Sequence, residues 1–373
     1  MRLRHFIRRH KWRLRPLKKI VLPLRNARRA LVALTRRTPL IVHSCANAVE
    51  IYPAEKIRPL TSSVEVIQES APGQILQFRE IDFWSRYGGS VVTSGHELIA
   101  ELSPDVWGVD NHPIFSTLRL PRPERLDGRT AIAITPEAPG NYYHWLIDLL
   151  PRLLLIRDFV GSLGAFDRIL INGTRTNYER DSLAAIGAPP SKIVYVSSSE
   201  RFQIADATFA SMDQYCAITA PWKVRALRSL APKSRPAPKQ RLYLSRRSAA
   251  VRRVVNEEAI HELLRAHEFE ILDLEKISWR EQVEKFASAN VIVAPHGAAL
   301  ANIAFCLPGT RVFEFCTDAG YRDFYLRLAA AAELPYEMIA AQQSISAAAS
   351  HRATENDDMK VDPGKLRAIL ASL

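Results

Sequence analysis

"VIVAPHGAALANIAF", residues 291–305, holds the decision about the fold. β-Forming residues lead into Pro295, His296 and Gly297, and small residues then open a helical stretch. A strand-to-helix junction of this kind aims backbone N–H groups at whatever lies in front of it, and the helix dipole makes that spot attractive to anions. Taken alone, it reads equally well as an ordinary tight βα turn. Its surroundings must decide.

On both sides the same rhythm continues. "RLYLSR" (241–246), "FEILDL" (269–274), "RVFEFC" (311–316) and "YEMIAA" (336–341) read as strands. Between them "NEEAIHELLRAH" (256–267), "SWREQVEKFASA" (278–289) and "YRDFYLRLAAAA" (321–332) read as helices. Asn256 is placed to cap the first of these, and Ser278 with Glu281 forms a capping box on the second. "PGKLRAILASL" closes the chain as a further helix. Alternation on this scale predicts a parallel sheet with helices on both faces. Ligands of such sheets bind at the carboxyl ends of the strands, where "PHGA" sits.

A second βα run lies upstream: "AIAIT" (131–135), "NYYHWLIDLLPRLLLI" (141–156), "RILING" (168–173), "NYERDSLAAIGA" (177–188) and "KIVYVS" (192–197). From 38 to 130 short β-rich pieces alternate with Pro and Gly and carry no motif. The Pro-rich "APKSRPAPKQ" (231–240) reads as a linker. The expected division is an arm at 1–37, an α/β domain at 38–230, the linker, a second α/β domain at 241–345, and a tail with a helix at 346–373. A ligand cleft would lie between the two domains.

The chain has 373 residues, 47% hydrophobic and 24% charged, an ordinary composition for soluble domains. Its formal charge of +12 is unevenly spread. Residues 1–37 hold fourteen of the 51 basic residues and no acid, which leaves 37 basic against 39 acidic residues in the body. Phe6, Ile7, Trp12 and Leu14 are interleaved with the charges, and no apolar run approaches a bilayer span of about 18 residues. No signal-peptide pattern is present. The arm reads as an amphipathic basic segment for an anionic membrane face. A nucleic-acid arm and a solubilising tail are the rivals, and the near-neutral body argues against nucleic acid. The four cysteines form no metal-ligand or disulfide pattern, which fits a reducing compartment.

The absences narrow the chemistry. There is no G-x-G-x-x-G, P-loop, G-x-S-x-G or H-E-x-x-H pattern, and no D-x-D after a strand, so a tightly held divalent metal is not expected. Three constellations remain. In "NYYHWLIDLLPR", Asn141, His144 and Asp148 share one helical face opposite a leucine stripe, which suits a base or proton relay. A buried polar cluster that merely holds a loop would look the same. Pro151 should kink or interrupt this helix. In "YLSRRSAAVRR", Ser245, Arg246 and Arg247 stand at a strand end with Arg252 and Arg253 close behind, suited to phosphate oxygens or to a solvated basic loop. The third is His296, Gly297 and Ala298, with Asn302 one turn on and Glu314 inside an apolar strand. A carboxylate there could accept hydrogen bonds from ribose hydroxyls. Together the second and third constellations describe a nucleotide-diphosphate site.

The blocks "NYYHWLIDLLPRL", "YLSRR…RRVVNE" and "FEILDLEKISWREQVEKFASANVIVAPHGAALANIAFCLPGTRVFEF" resemble glycosyltransferase family 61. That family includes bacterial capsular-polysaccharide enzymes and eukaryotic xylosyl- and N-acetylglucosaminyl-transferases. The resemblance covers roughly residues 130 to 320. It implies a GT-B-like architecture, two Rossmann-like domains facing a cleft, and inverting transfer of a hexosyl or pentosyl group without a cofactor or essential metal. Carried over, Ser245, Arg246 and Arg247 face the diphosphate, His296, Gly297 and Ala298 cradle it, and Glu314 binds the nucleoside. Ala301 stands where family members often carry Thr, which removes one hydroxyl contact. The expected partners are a nucleotide-diphosphate sugar and a glycan or lipid-linked acceptor in surface-polysaccharide assembly, on the cytoplasmic side at the inner membrane face. Asp148 is the expected base with His144 orienting it, and the spacing fits reversed roles as well. The alternatives are a non-catalytic nucleotide-sugar-binding relative and a nucleic-acid-associated protein acting through the arm.

Overall fold

The computed structural model describes residues 24, 26–34, 38–43, 48–57, 59–60, 68–104, 108–212, 219–232, 239–318, 323–344 and 356–373. Most of the basic arm and six residues of the Pro-rich linker lie outside them. So do Cys45 and Cys216, whereas Cys306 and Cys316 are buried free thiols.

The C-terminal unit is built on β12 (Gln240–Leu244), β13 (Phe269–Leu272), β14 (Ala289–Pro295), β15 (Arg311–Cys316) and β16 (Tyr336–Ala340). They form one sheet in the order β13-β12-β14-β15-β16, and every pair is parallel. Counted within the unit this is the doubly wound order 2-1-3-4-5, whose topological switch point lies between β12 and β14. Strand alternation explains the two faces. Leu242, Leu244, Ile292 and Ala294 enter the large core, while Tyr243, Val291 and Val293 enter a second core with Ile260 and Leu264. Helices therefore cover both faces, as the alternation predicts.

The upstream half differs from a second Rossmann-like domain. Its nine-stranded sheet runs β1-β7-β6-β5-β11-β8-β9-β10, with β2 added to β5, where β1 is Leu40–Val42 and β7 is Glu97–Ile99. The long members are β5 (Gly73–Trp84), β8 (Glu124–Ala133) and β11 (Arg201–Ala210). β8 is parallel to β11 and to β9 (Arg168–Ile171), and β9 to β10 (Ile193–Tyr195). β5, however, is antiparallel to β11, to β2 (Ala48–Tyr52) and to β6 (Ser90–Val92). The α-helices α1 (Leu150–Val160), α2 (Asn177–Ala185) and α3 (Pro221–Arg228) all feed one core with Ala131 and Ala133. Ile132 and Ile134 face a second core to which no described α-helix contributes. The region of short β-rich pieces thus adds an antiparallel half-sheet, so the doubly wound pattern stops at β8.

One apolar core also runs through both halves, from Ala131 and Leu153 to Ile292 and Leu300. The separate domains expected at 38–230 and 241–345 consequently share buried surface. Nor does the chain beyond 345 stand apart. Val361, Leu366 and Leu370, the last two on α7 (Pro363–Leu370), are buried with Tyr243 and Phe315. No described helix is long and apolar enough to cross a membrane.

Candidate functional site at two strand ends

The segment after β8 enters its helix through Asn141, whose Oδ1 accepts the amide of Tyr143 at 3.1 Å. His144–Leu149 is then wound as a π-helix before α1 begins at Leu150. The wide turn solves the problem set by Pro151, which lacks an N–H and would clash with a carbonyl of a regular α-turn. The helix continues through the proline instead of breaking. Arg152 follows the proline but leaves the polar stripe: it is buried and donates to the carbonyls of Ile134 and Ala210 at 2.8 and 3.2 Å.

The π-turn brings four ionisable groups into a row. Glu137 Oε2 lies 3.0 Å from Nε2 of His144, and Nδ1 of the same ring is 2.6 Å from Oδ2 of Asp148. The other oxygen of Asp148 is 3.5 Å from Nζ of Lys223, on α3. Asp148 and Lys223 are buried, while Glu137 is partly open. A carboxylate enclosed between an imidazole and an ammonium is placed to orient and charge the imidazole. It is poorly placed to reach a substrate. In this arrangement Asp148 holds the imidazole of His144, a pairing that suits a histidine proton acceptor. Asn141 starts the helix and is not part of the row.

The second cluster lies at the switch point. Gly297 follows β14, and a Cβ built on it would stand 2.0 Å from Nη1 of Arg246, which follows β12. A side chain there would evict the guanidinium, so glycine is required for this close approach. Arg246 is held by Nη2–H donating to the Val251 carbonyl at 3.0 Å, and its buried Nε–H has no partner among the described residues. Burial, reinforced by Arg252, pushes its pKa down to about 10, so it remains a cation at neutral pH. Arg252 has a φ of +58° and likewise an unpartnered buried Nε–H. Two neighbouring guanidinium groups, each with an unpartnered buried donor, make an arrangement suited to an anion.

The turn itself is not an α-helix. Ala298–Phe305 is a 3₁₀ run of eight residues, and the amides of Ala298 and Ala299 in its first turn have no intrahelical acceptor. His296 pairs through Nδ1 with Oε1 of Glu314, whose Oε2 accepts from the Tyr336 hydroxyl at 2.5 Å. Glu314 is fully buried, so it serves His296 and does not present itself to a ribose. The hydroxyl of Tyr325 donates to the Gly297 carbonyl at 2.6 Å, and its ring meets His296 edge-on. Burial raises the pKa of that phenol, with Glu314 adding to the effect, which keeps it a neutral donor. The clusters are neighbours: Tyr143 touches the rings of both His144 and Tyr325.

Other expected site residues fall elsewhere. Arg247 points outward and pairs with Glu258 at 2.5 Å. Ser245 donates to Glu257, the buried carboxylate that also accepts from Tyr243 and from the amide of Arg246, so it braces the loop. Asn302 is fully buried, accepting from the Tyr142 hydroxyl at 2.6 Å and donating to Gln282 at 3.2 Å. It ties the two halves together. Ser278 caps α5 (Trp279–Ala287) as expected, accepting the Glu281 amide at 3.2 Å. Asn256, in contrast, does not cap α4 (Glu257–Ala266); its amide group exchanges two hydrogen bonds with the backbone of Val361.

That exchange belongs to a brace on the arginine loop. Residues 356–361 run alongside 252–256: Arg252 N donates to Asn356 O, Met359 N to Arg253 O and Val255 N to Met359 O. Asp358 accepts the amide of Arg253 at 2.8 Å and pairs with its guanidinium at 2.7 Å. Lys223, Tyr325 and Asp358 are not legible as site residues, because each comes from a remote segment, whereas Arg252 stands in the same arginine loop as Arg246.

Buried His296, Glu314 and Cys316 offer ligand atoms within 4.8 Å of one another. This group is closed on itself, since His296 pairs with Glu314 and the Cys316 thiol is 3.4 Å from the Thr317 carbonyl.

Residues 142–313 match the model of the family described as Glycosyltransferase 61. The match supports that family and, with it, glycosyltransferase activity. No curated protein matches the chain.

Proposed function

We propose, with the family match as premise, that this protein moves a sugar from a nucleotide-diphosphate donor to a hydroxyl of a glycan or lipid-linked acceptor. The observation that carries the reading is the pair of unpartnered guanidinium donors, Arg246 against Gly297 at the switch point and Arg252 in electrostatic reach of Arg246. The donor's diphosphate lies across these groups and the Ala298 and Ala299 amides. Its nucleoside is held by the C-terminal sheet, and the two halves act as the halves of a GT-B enzyme.

The mechanism is a single displacement with inversion. The acceptor hydroxyl takes the place of the Glu137 carboxylate at Nε2 of His144, and Nε2 takes its proton as the hydroxyl oxygen forms a bond to the anomeric carbon. The bond from that carbon to the diphosphate oxygen breaks, and the electron pair stays on the phosphate. Arg246, Arg252 and the turn amides stabilise the departing charge, the task that a metal performs in other transferases. Asp148, held by Lys223, fixes the ring of His144 and stabilises the imidazolium that results. Resemblance to the capsular enzymes of the family supports surface-polysaccharide assembly in the bacterial cytoplasm as the setting, with a hexosyl or pentosyl group transferred.

Calorimetric titration with UDP, GDP, CMP and inorganic phosphate tests the reading. One nucleotide should bind selectively, with binding lost in Arg246→Ala and kept in Asp148→Asn. Failure of all of them to bind folded wild-type protein overturns it.

A further inference from the structure

Residues 26–34 of the basic arm are helical and rest on the β-rich half of the protein. Two contacts hold them. Val32 is fully buried, and Arg29 donates to the Asp110 carbonyl at 2.8 Å with its guanidinium 4.8 Å above the ring of Phe115. On the same stretch Leu24, Leu31 and Leu34 are 63%, 47% and 85% exposed. Three leucines left in water on one short segment need a reason.

Their spacing supplies it. At about 100° per residue along 26–34, Leu31 and Leu34 fall about 60° apart, with Ala27 between them in the same stripe. Val32 and Arg29 lie on the other side of the helix, the two sets centred about 150° apart. The helix is therefore clamped to the protein by one face and turns an apolar stripe outward on the opposite face. The chain around that stripe carries eleven Arg and three Lys in residues 1–37 with no acid. A surface that accepts an apolar stripe and neutralises a dense cation cluster is an anionic lipid interface.

We infer that helix 26–34, with Leu24 ahead of it, is an interfacial docking element, which inserts Leu24, Leu31 and Leu34 into an anionic membrane while Val32 and Arg29 keep it fixed to the protein. Because the helix is clamped, binding sets the orientation of the whole protein on the lipid surface. The inference is independent of the transferase reading.

Sedimentation of the full chain with vesicles of phosphatidylglycerol and phosphatidylcholine tests it, with pure phosphatidylcholine as comparison. The wild type should co-sediment with the anionic vesicles, and 0.5 M salt should weaken binding. Leu31→Glu/Leu34→Glu should weaken it about tenfold or more, because both side chains leave the hydrocarbon boundary. Both positions are solvent-facing, so the variant should keep the wild-type melting temperature. Arg29→Ala should retain vesicle binding yet expose the arm to protease in the unbound protein. No binding by the wild type overturns the inference. So does undiminished binding by the double glutamate variant, which would make the arm a purely electrostatic tether. Preferential binding to duplex DNA, again insensitive to the leucines, would likewise reject it in favour of a nucleic-acid arm.

Discussion

The guanidinium of Arg246 lies where a side chain on Gly297 would be, 2.0 Å from the position of the missing Cβ. Gly297 has an extended backbone with φ 172°, which any residue can adopt, so an alanine there is not strained in itself. Gly297→Ala should fold normally while pushing Arg246 out of its place. The expected result is a loss of nucleotide-diphosphate affinity of about tenfold or more, equivalent to about 1.4 kcal/mol. Calorimetry beside a melting curve separates this from unfolding. Unchanged affinity would remove Arg246 from the anion site.

His144 and Asp148 should part company in kinetics. His144→Ala removes the proton acceptor and should lower kcat by roughly 10² to 10⁴ with little change in donor KM. Asp148→Asn should lower kcat less and also destabilise the fold, because it takes the Asp148 charge away from the buried Lys223 ammonium. Breaking a buried pair by removing one partner costs about 3 kcal/mol or more. Adding Lys223→Met to Asp148→Asn should recover much of that stability but none of the rate. Denaturant unfolding of the double-mutant cycle checks it; additive effects would show that the pair is not coupled.

Asp358 should act on donor binding although it stands more than a hundred residues from the arginine loop. Asp358→Asn removes the Arg253 pair and loosens the segment that carries Arg252. Affinity for inorganic pyrophosphate should fall several-fold, while affinity for the free nucleoside should not change. Asp358→Glu should restore part of the loss. Equal losses for pyrophosphate and nucleoside would mean general damage and not positioning of the arginines.

Acid should weaken the C-terminal half through His261. Burial lowers the pKa of this ring below its usual 6.5, against the opposing pull of Glu257 3.8 Å away. Tyr243 packs on its face, and Arg265, Glu258 and Arg247 also act on it. Above the free pKa both folded and unfolded forms are neutral, and nothing is lost. As pH falls through 6.5, the unfolded chain takes up a proton that the native ring resists, so stability drops until the native pKa is passed. Urea unfolding at pH 7.5 and 5.5 should show a smaller drop in His261→Gln than in the wild type. Identical drops would clear His261.

The sheet that carries the proposed anion site is readable because its strands and helices alternate in the chain with little interruption. "VIVAPHGA" marks a strand end and a close approach even in isolation. The upstream sheet was less readable. β5 pairs with β11 more than a hundred residues away, and no local pattern states that pairing or its antiparallel sense. Pro151 is legible as an obstacle to the helix, but the helix runs through it by a π-turn that depends on its neighbours.

By itself the sequence determined the doubly wound C-terminal sheet, the glycine at its switch point, Arg246 beside it, and the His144–Asp148 spacing. Each follows from local periodicity or from neighbours within one turn. Only the tertiary structure decided the contacts. It enclosed Asp148 with Lys223, gave Glu314 to His296, turned Arg247 outward, and brought Arg252 into the site under a brace from the chain's last residues. Burial and hydrogen-bond satisfaction are properties of segments that meet in space, and the order of residues along the chain does not record which segments those will be.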